Sequence, residues 1–325
     1  MSEAKYDIAI IGSGPAGLSA AIYASRGNAK TLILAGNVWG GQLMLTTGVE
    51  NYPGFESIDG PELMDKMKSH ATKFGAEFKS ENVVSVDFNT SPFLLNTSSG
   101  SYNAKSVIIA TGANIKWLDL PSEQKLIGRG VSSCAPCDAP FFRDKNVIVV
   151  GGGDSAMEEA LVLSKFATSV TIIHRRDSFR ASKIMQDRVI GNPKVKVIWD
   201  SLVHEVLGDV KVTGATVKNI KTGEVTEMPI DGIFVAIGHE PATEVFREKL
   251  ELDAKGYIKK VHHEKYQSQN DDGEIIGNRF NMMTSVEGVF TAGDVHDYHY
   301  KQAITAAGFG CQAALEALAW LDEAK

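Results

Sequence analysis

The chain has 325 residues, 43% of them hydrophobic and 22% charged, a globular composition with room for about two domains that excludes disordered and fibrous classes. A formal net charge of -7 leaves no overall basic footprint for nucleic acid or anionic lipid. Three cysteines, a polar opening MSEAKYD and the lack of an unbroken apolar run of roughly 18 residues point away from secretion and membrane spans and toward the cytoplasm.

In chain order, YDIAII (6–11) reads as a buried strand and GSGPAG (12–17) as a glycine turn. LSAAIYASRG reads as a helix ending at Gly27, and TLILA (31–35) as a second strand. This is a dinucleotide-binding βαβ unit: Gly12 permits the sharp turn, Gly14 lets backbone approach a pyrophosphate, and Gly17 lets helix and strand touch. The acidic residue such units place about 20 residues on is absent, because the strand end reads LAGN; a ribose there falls to backbone or to Asn37. A helix is expected from Pro61, with Leu63, Met64, Met67, Ala71 and Phe74 on one face. Short strands VVSVDF and FLLNT then lead to SVIIATG (106–112).

The same unit recurs after residue 145, with a strand over 146–150, glycines at 151–153, a helix from Ser155 and a strand over 170–174. Here Gly151, Gly153, Asp154, Ser155 and Ala156 form the turn, with alanine at the third glycine position. The strand ends in His174, Arg175 and Arg176, with Arg180 close behind. Guanidinium groups at that place pair with a 2'-phosphate, so the expected nucleotide is NADP(H). IDGIFVAIGHEPAT (230–243) echoes SVIIATG, residues 260–280 read as a polar, irregular, exposed excursion, and the alanine-rich tail reads as a closely packed helix. The expected fold class is therefore α/β, two Rossmann-like dinucleotide-binding domains with the second inserted into the first. The first comprises 1–112 plus 246–325 and the second 113–245, with a hinge at Gly112 and Gly238.

The segment SSCAPCDAPFF (132–142) carries two of the three cysteines. Such a pair can hold a metal, form a reversible disulfide or sit inert in a core. One pair and a distant Cys311 fall short of a four-ligand zinc site, so no metal is expected, and Ser132, Ser133, Pro136 and Asp138 are poor core formers. A redox-active disulfide is the expected chemistry, with Cys311 a packed small residue.

GSGPAG, GGQL (40–43), TTGVENYPGF (46–55), ATG (110–112), CAPCD (134–138), GGGDSA, HRRDSFRA (174–181) and AGDVHDYHYKQAITAAGFGCQAALEA (292–317) together resemble the low-molecular-weight thioredoxin reductases, in order and across nearly the whole chain. The resemblance implies a homodimeric flavoprotein of pyridine nucleotide-disulfide oxidoreductase type that uses NADPH to reduce thioredoxin or a thioredoxin-like protein. It implies FAD on Gly12, Ser13, Gly14, Pro15, Ala16 and Gly17, on Gly41, Gln42, Thr47 and Asn51, and on Ala110 and Gly112. Further FAD contacts are implied at Gly293, at Asp294 holding the ribityl chain, and at Lys301, Gln302 and Ala303 where a helix opens toward the flavin. It also implies that Cys137 faces the flavin, that Cys134 attacks the protein disulfide and that Asp138 supplies the proton. Pro136, Ala139 and Lys301 depart from the threonine, glycine and arginine usual in the family. The same residues admit a flavin-dependent dithiol oxidase, a reductase fed by another donor such as a ferredoxin, and a non-catalytic flavin sensor.

Overall fold

The computed structural model describes residues 5–46, 48–270, 272 and 274–323. Its contacts divide the chain into one unit of 1–114 plus 240–325 and a second of 115–239, against the limits of 112/113 and 245/246 expected from the sequence.

The first unit opens with β1 (Tyr6–Ile11), α1 (Pro15–Arg26), β2 (Thr31–Leu34), α2 (Gly60–Lys73) and β3 (Glu77–Lys79). It continues with β4 (Val83–Asp87), β5 (Phe93–Thr97), β6 (Ser101–Ile109) and the linker strand β7 (Ala113–Ile115). β1 lies between β2 and β6, parallel to both, so both its faces are covered and its residues can be apolar throughout. Ile8 and Ile10 enter one core cluster, Ala9 and Ile11 the cluster on the other face. Each fully buried isoleucine contributes roughly 1.5–3 kcal/mol of transfer free energy.

The second unit contains α3 (Pro121–Lys125), β8 (Val131–Ser132), the one-turn α4 (Ala135–Asp138), β9 (Asn146–Val150), α5 (Asp154–Leu163), β10 (Ser169–Ile173), α6 (Lys183–Ile190) and β11 (Val195–Ile198). β12 (Ser201–Leu207), β13 (Gly214–Asn219) and β14 (Val225–Pro229) form an antiparallel sheet. β15 (Gly232–Val235) returns to the main sheet, and β16 (His239–Pro241) leads out. The parallel sheet runs β11-β10-β9-β15-β8, and β16 pairs with β7, so both crossings between the units are made by paired strands. The second glycine unit thus repeats the first, with β9 and β10 in the places of β1 and β2.

The chain then returns to the first unit as β17 (Gln267–Gln269), β18 (Ile275–Asn278), β19 (Val289–Thr291) and α7 (Ala303–Glu323). β17 and β18 form an antiparallel hairpin, so the excursion that reads as irregular is ordered at its base. Tyr266 stacks edge-on against Phe280, which is 1% exposed, and accepts a 3.1 Å hydrogen bond from Trp320 Nε1. Glu316 on α7 accepts the backbone N–H groups of Asn281 and Met282. Two aromatic residues in a polar context gave no periodic signal, and it is their tertiary contacts that tie the segment down.

α7 is, among the described residues, a helix long and apolar enough by length and composition to cross a bilayer, which a search for an unbroken apolar run passes over. Its Ala306, Ala307, Gly310, Ala313, Ala314 and Ala317 are buried, and it lies against α1 so closely that a Cβ on Gly310 would sit 2.0 Å from the Ala16 carbonyl oxygen. Small residues on both helices bring the start of α7 beside the first glycine turn.

Candidate functional site

In the first unit the glycine turn follows directly from β1. Gly12 holds φ +113°, and a Cβ there would lie 2.2 Å from the Ala110 carbonyl oxygen; a Cβ on Gly17 would lie 2.1 Å from the Gly12 oxygen. By contrast, nothing stands within 4 Å of a Cβ on Gly14, so this glycine leaves open space in front of the α1 N-terminus, where Pro15 and Ala16 begin the helix. Ser13 Oγ donates to the Ala35 carbonyl at 2.9 Å and accepts from Gly40 N–H at 3.0 Å, binding the turn to the loop that carries Gly41 and Gln42. Gln42 Nε2 donates to Ala113 O at 3.4 Å. Asn51 Nδ2 donates to Gln302 Oε1 at 3.3 Å, which joins residues 251 apart in sequence. Gly112 turns the chain beyond Ala110, and its carbonyl accepts Ala242 N–H. Thr47 lies outside the described residues.

Gly293 packs against this turn, since a Cβ on it would meet Ala16 Cβ at 2.9 Å. Next to it stands Asp294. Burial, and secondarily Asp297, push its carboxyl up to about 7, against the pull of Lys301. Among the described residues this carboxylate makes no side-chain hydrogen bond. A mostly buried acceptor without a donor is costly unless a ligand hydroxyl satisfies it, which suits a polyol chain. Asp297 accepts the backbone N–H groups of His299, Tyr300 and Lys301, shaping the approach to Gln302 and to Ala303 at the first turn of α7. The residues present fit a dinucleotide with a polyol linker.

His296, between the two aspartates, is 9% exposed, and among the described residues neither ring nitrogen has a hydrogen-bond partner. Burial, then Lys260, depresses it to about 4, with Asp297 opposing. Its folded value lies below the unfolded value of roughly 6.5, so the neutral ring's contribution is whole above 6.5 and is lost as pH falls toward 4. The loss amounts to about 3 kcal/mol. Asp294 acts with opposite sign in the same window, since its raised value favours the fold at the acidic end. His296→Leu should therefore abolish an acid-side loss visible only in the difference between parent and variant. Denaturant midpoints of both proteins at pH 7 and pH 4.5 check this, and equal pH slopes would contradict it.

In the second unit, Gly151 repeats the role of Gly12: its Cβ would lie 2.4 Å from the Ala236 oxygen and 2.8 Å from Ala156 Cβ. Gly153, like Gly14, faces open space ahead of a helix N-terminus. Asp154 Oδ1 accepts both the N–H and the hydroxyl of Ser182, while Ser155 is exposed and Ala156 buried. The His174 ring lies under Gly152, where a Cβ would approach it to 2.1 Å, and its Nε2 is 3.1 Å from Ser178 O. Burial lowers the His174 pKa and keeps the ring neutral. Arg180 N–H donates to the Gly152 carbonyl at 2.8 Å, which brings this arginine back beside the turn. Arg175, Arg176 and Arg180 are all exposed, and among the described residues none forms an ion pair. Three exposed guanidinium groups, without an ion pair among the described residues, thus follow closely on His174, whose ring packs against this glycine turn.

The cysteines lie in the same unit. Cys134 and Cys137 are joined in a disulfide at the start of α4, both half-buried, with Pro136 exposed between them. Asp138 stands at the N-cap of the turn Ala139–Phe142, but its side chain makes no capping hydrogen bond there. Its carboxylate instead accepts the Ser132 hydroxyl at 2.6 Å; burial raises its pKa and this hydrogen bond opposes the rise. Ser132, by residue type a poor core former, is 8% exposed and accepts Cys134 N–H at 3.1 Å. Glu159 on α5, unmarked by any site motif, accepts Ala135 N–H at 2.5 Å through its carboxylate and ties the cysteine turn to the nucleotide-type helix. Only the repeated glutamate in MEEA signals it, and that pattern is common on helices.

The sequence profile of the pyridine nucleotide-disulphide oxidoreductase family matches residues 6–310. The chain is 49% identical over 320 residues to a thioredoxin reductase of Streptomyces coelicolor, covering 98% of this chain and 94% of that one. It is 47% identical to a bifunctional thioredoxin reductase/thioredoxin of Mycobacterium leprae, covering 99% of this chain and 67% of the other. The crystal structure of thioredoxin reductase from Streptococcus pyogenes superposes with a TM-score of 0.88 at 41% identity, over 99% of this chain and all of that one.

Proposed function

This chain belongs to the pyridine nucleotide-disulphide oxidoreductases, and within them to the thioredoxin reductases, and from that premise we propose that it carries electrons from NADPH through FAD and the Cys134–Cys137 disulfide to thioredoxin or a thioredoxin-like protein. The M. leprae relative, named for both activities, supports the partner. The observation that carries the reading is the placement of chemistry by unit. The disulfide, the second glycine turn and the three arginines all belong to 115–239, whereas the first glycine turn and Asp294 belong to the other unit. FAD, when bound, supplies the two-electron relay between nicotinamide and disulfide. One rigid body cannot readily present both a nicotinamide and a disulfide to one face of a ring, so the second unit swivels on β7 and β16 near Gly112 and Gly238.

The residues divide the work as follows. Gly12 to Gly17, Gly41, Gln42, Asn51, Gly293, Asp294, Lys301, Gln302 and Ala303 hold the flavin nucleotide, with Asp294 accepting from its polyol chain. Gly151 to Ala156 cradle the NADPH pyrophosphate, and Arg175, Arg176 and Arg180 read the 2'-phosphate. Once reduced, the Cys134 thiolate attacks the partner's disulfide and forms a mixed disulfide; the departing partner sulfur takes up a proton. Cys137 then attacks Cys134, which restores the enzyme disulfide and frees the partner as a dithiol. Asp138, raised by burial, holds the proton that a sulfur leaving the enzyme disulfide requires. The enzyme works in the cytoplasm as a homodimer, for which exposed Tyr23 on α1 and Ile304 and Leu315 on α7 offer an apolar face.

Anaerobic titration of the purified yellow protein with NADPH, followed by thiol counting with and without thioredoxin, tests the reading. Two new thiols per chain should appear without thioredoxin, and should pass to thioredoxin when it is added. A colourless protein, or a disulfide that stays oxidised under excess NADPH, would refute it.

A further inference from the structure

The hydrogen bonds around the disulfide have a direction. Cys134 N–H can only donate, and it donates to Ser132 Oγ at 3.1 Å. Ser132 lies on β8, opposite Phe234 of β15, and is 92% buried by the complement of its 8% exposure. Among the described residues its hydroxyl makes one other hydrogen bond, to Asp138 Oδ2 at 2.6 Å. With a lone pair taken by the peptide N–H and a single carboxylate in reach, the hydroxyl proton is directed at Oδ2. A carboxyl whose Oδ2 is occupied as an acceptor carries a transferable proton on Oδ1. We infer that Ser132 is a positioning residue for the disulfide chemistry: anchored by the Cys134 peptide, it fixes the Asp138 carboxyl and commits its mobile proton to Oδ1.

The surroundings leave this hydroxyl as the main polar influence on Asp138. α5 packs on α4 and brings Glu159, whose carboxylate is turned to Ala135 N–H, while Asp154 and Glu158 on the same helix are exposed. The turn Ala139–Phe142 carries no ionisable side chain, and Arg143 and Lys145 beyond it are exposed. β15 contributes only Gly232, Ile233, Phe234 and Val235. Cys134 and Cys137 themselves become titratable only once their disulfide is open.

The inference rests on Asp138 acting as the proposed acid, and the two can be tested apart. Dithiothreitol opens the Cys134–Cys137 disulfide without NADPH or thioredoxin. Its thiolate bonds to one cysteine sulfur, the S–S bond breaks, and the other cysteine sulfur takes the Asp138 proton. The second dithiothreitol thiol then displaces the first cysteine as a free thiol, leaving cyclic oxidised dithiothreitol. Rates are followed by quenched alkylation and mass spectrometry from pH 5 to pH 9. The ratio of variant to parent cancels the ionisation of dithiothreitol. Ser132→Ala removes a hydrogen bond to the charged carboxylate, which raises the Asp138 titration by about one pH unit, so its ratio should climb about tenfold as pH rises. Ser132→Thr retains the hydroxyl and should give a flat ratio near one. A flat ratio for Ser132→Ala, while Asp138→Asn is slow at low pH and converges on the parent at high pH, overturns the role of Ser132 alone. A flat ratio near one for Asp138→Asn overturns the acid role, and the inference with it.

Discussion

Replacing Cys134 with serine is expected to reduce NADPH-driven thioredoxin reduction by more than about a thousandfold, the scale seen when a group that makes the covalent bond is removed. Bleaching of the flavin by NADPH should persist in the same variant, because the second glycine turn and its arginines are untouched. A merely structural cysteine would lower both. The complementary Cys137→Ser variant keeps the attacking thiol and lacks the one that resolves the mixed disulfide. It should accumulate a covalent adduct with thioredoxin on Cys134, removable by dithiothreitol and visible as a mass equal to the two proteins together. Retained turnover in Cys134→Ser would refute the assignment, and an adduct on Cys137 in that variant would exchange the roles of the two sulfurs. Pro136 stands exposed between the cysteines, where it stiffens the turn that the partner approaches.

Much of the site was legible because its physics is local. Gly12 and Gly151 are required by carbonyl oxygens, of Ala110 and Ala236, that lie too close for any Cβ, and a strand followed by such a glycine is visible in sequence. The cysteine spacing is equally local, since three intervening peptide bonds suffice to close a disulfide in one helical turn. What stayed hidden depends on distant partners. Ser132 looks like a poor core former until β8 is seen as the edge strand paired with β15, where its buried hydroxyl must be paired. Glu159 looks like one of two surface glutamates until α5 is seen to place it on the Ala135 peptide. The base of the excursion is fixed by Tyr266, Phe280 and Glu316, spread over fifty residues and carrying no periodicity. Asp294 carries no local signal apart from the family resemblance, and its burial without a donor among the described residues is the physical reason such a carboxylate belongs beside a polyol.

Replacing Arg175 and Arg176 together with alanine should weaken NADPH about a hundredfold and NADH by less than about threefold. The anchoring around them is backbone and aromatic, so the fold should tolerate the change: His174 is buried beneath Gly152, its carbonyl accepts Ser201 N–H, and the Arg176 carbonyl accepts Asp200 N–H. The two guanidinium groups project from this fixed strand end without acidic partners among the described residues. A 2'-phosphate would supply the missing anion through charge-assisted bonds of roughly 1.5–3 kcal/mol each. Because both arginines are exposed, screening leaves about 3 kcal/mol for the pair, and each 1.4 kcal/mol is a factor of ten in affinity. The same screening predicts that the preference for NADPH over NADH narrows as salt rises in the parent and narrows much less in the variant, where Arg180 alone remains. Dissociation constants for both nucleotides, measured by fluorescence quenching at two ionic strengths, decide it. Equal losses for NADPH and NADH would mean that the arginines serve the pyrophosphate or the fold. A selective loss would place the reading of the phosphate on this strand end, with Arg180, held beside the turn by the Gly152 carbonyl, accounting for the residual preference.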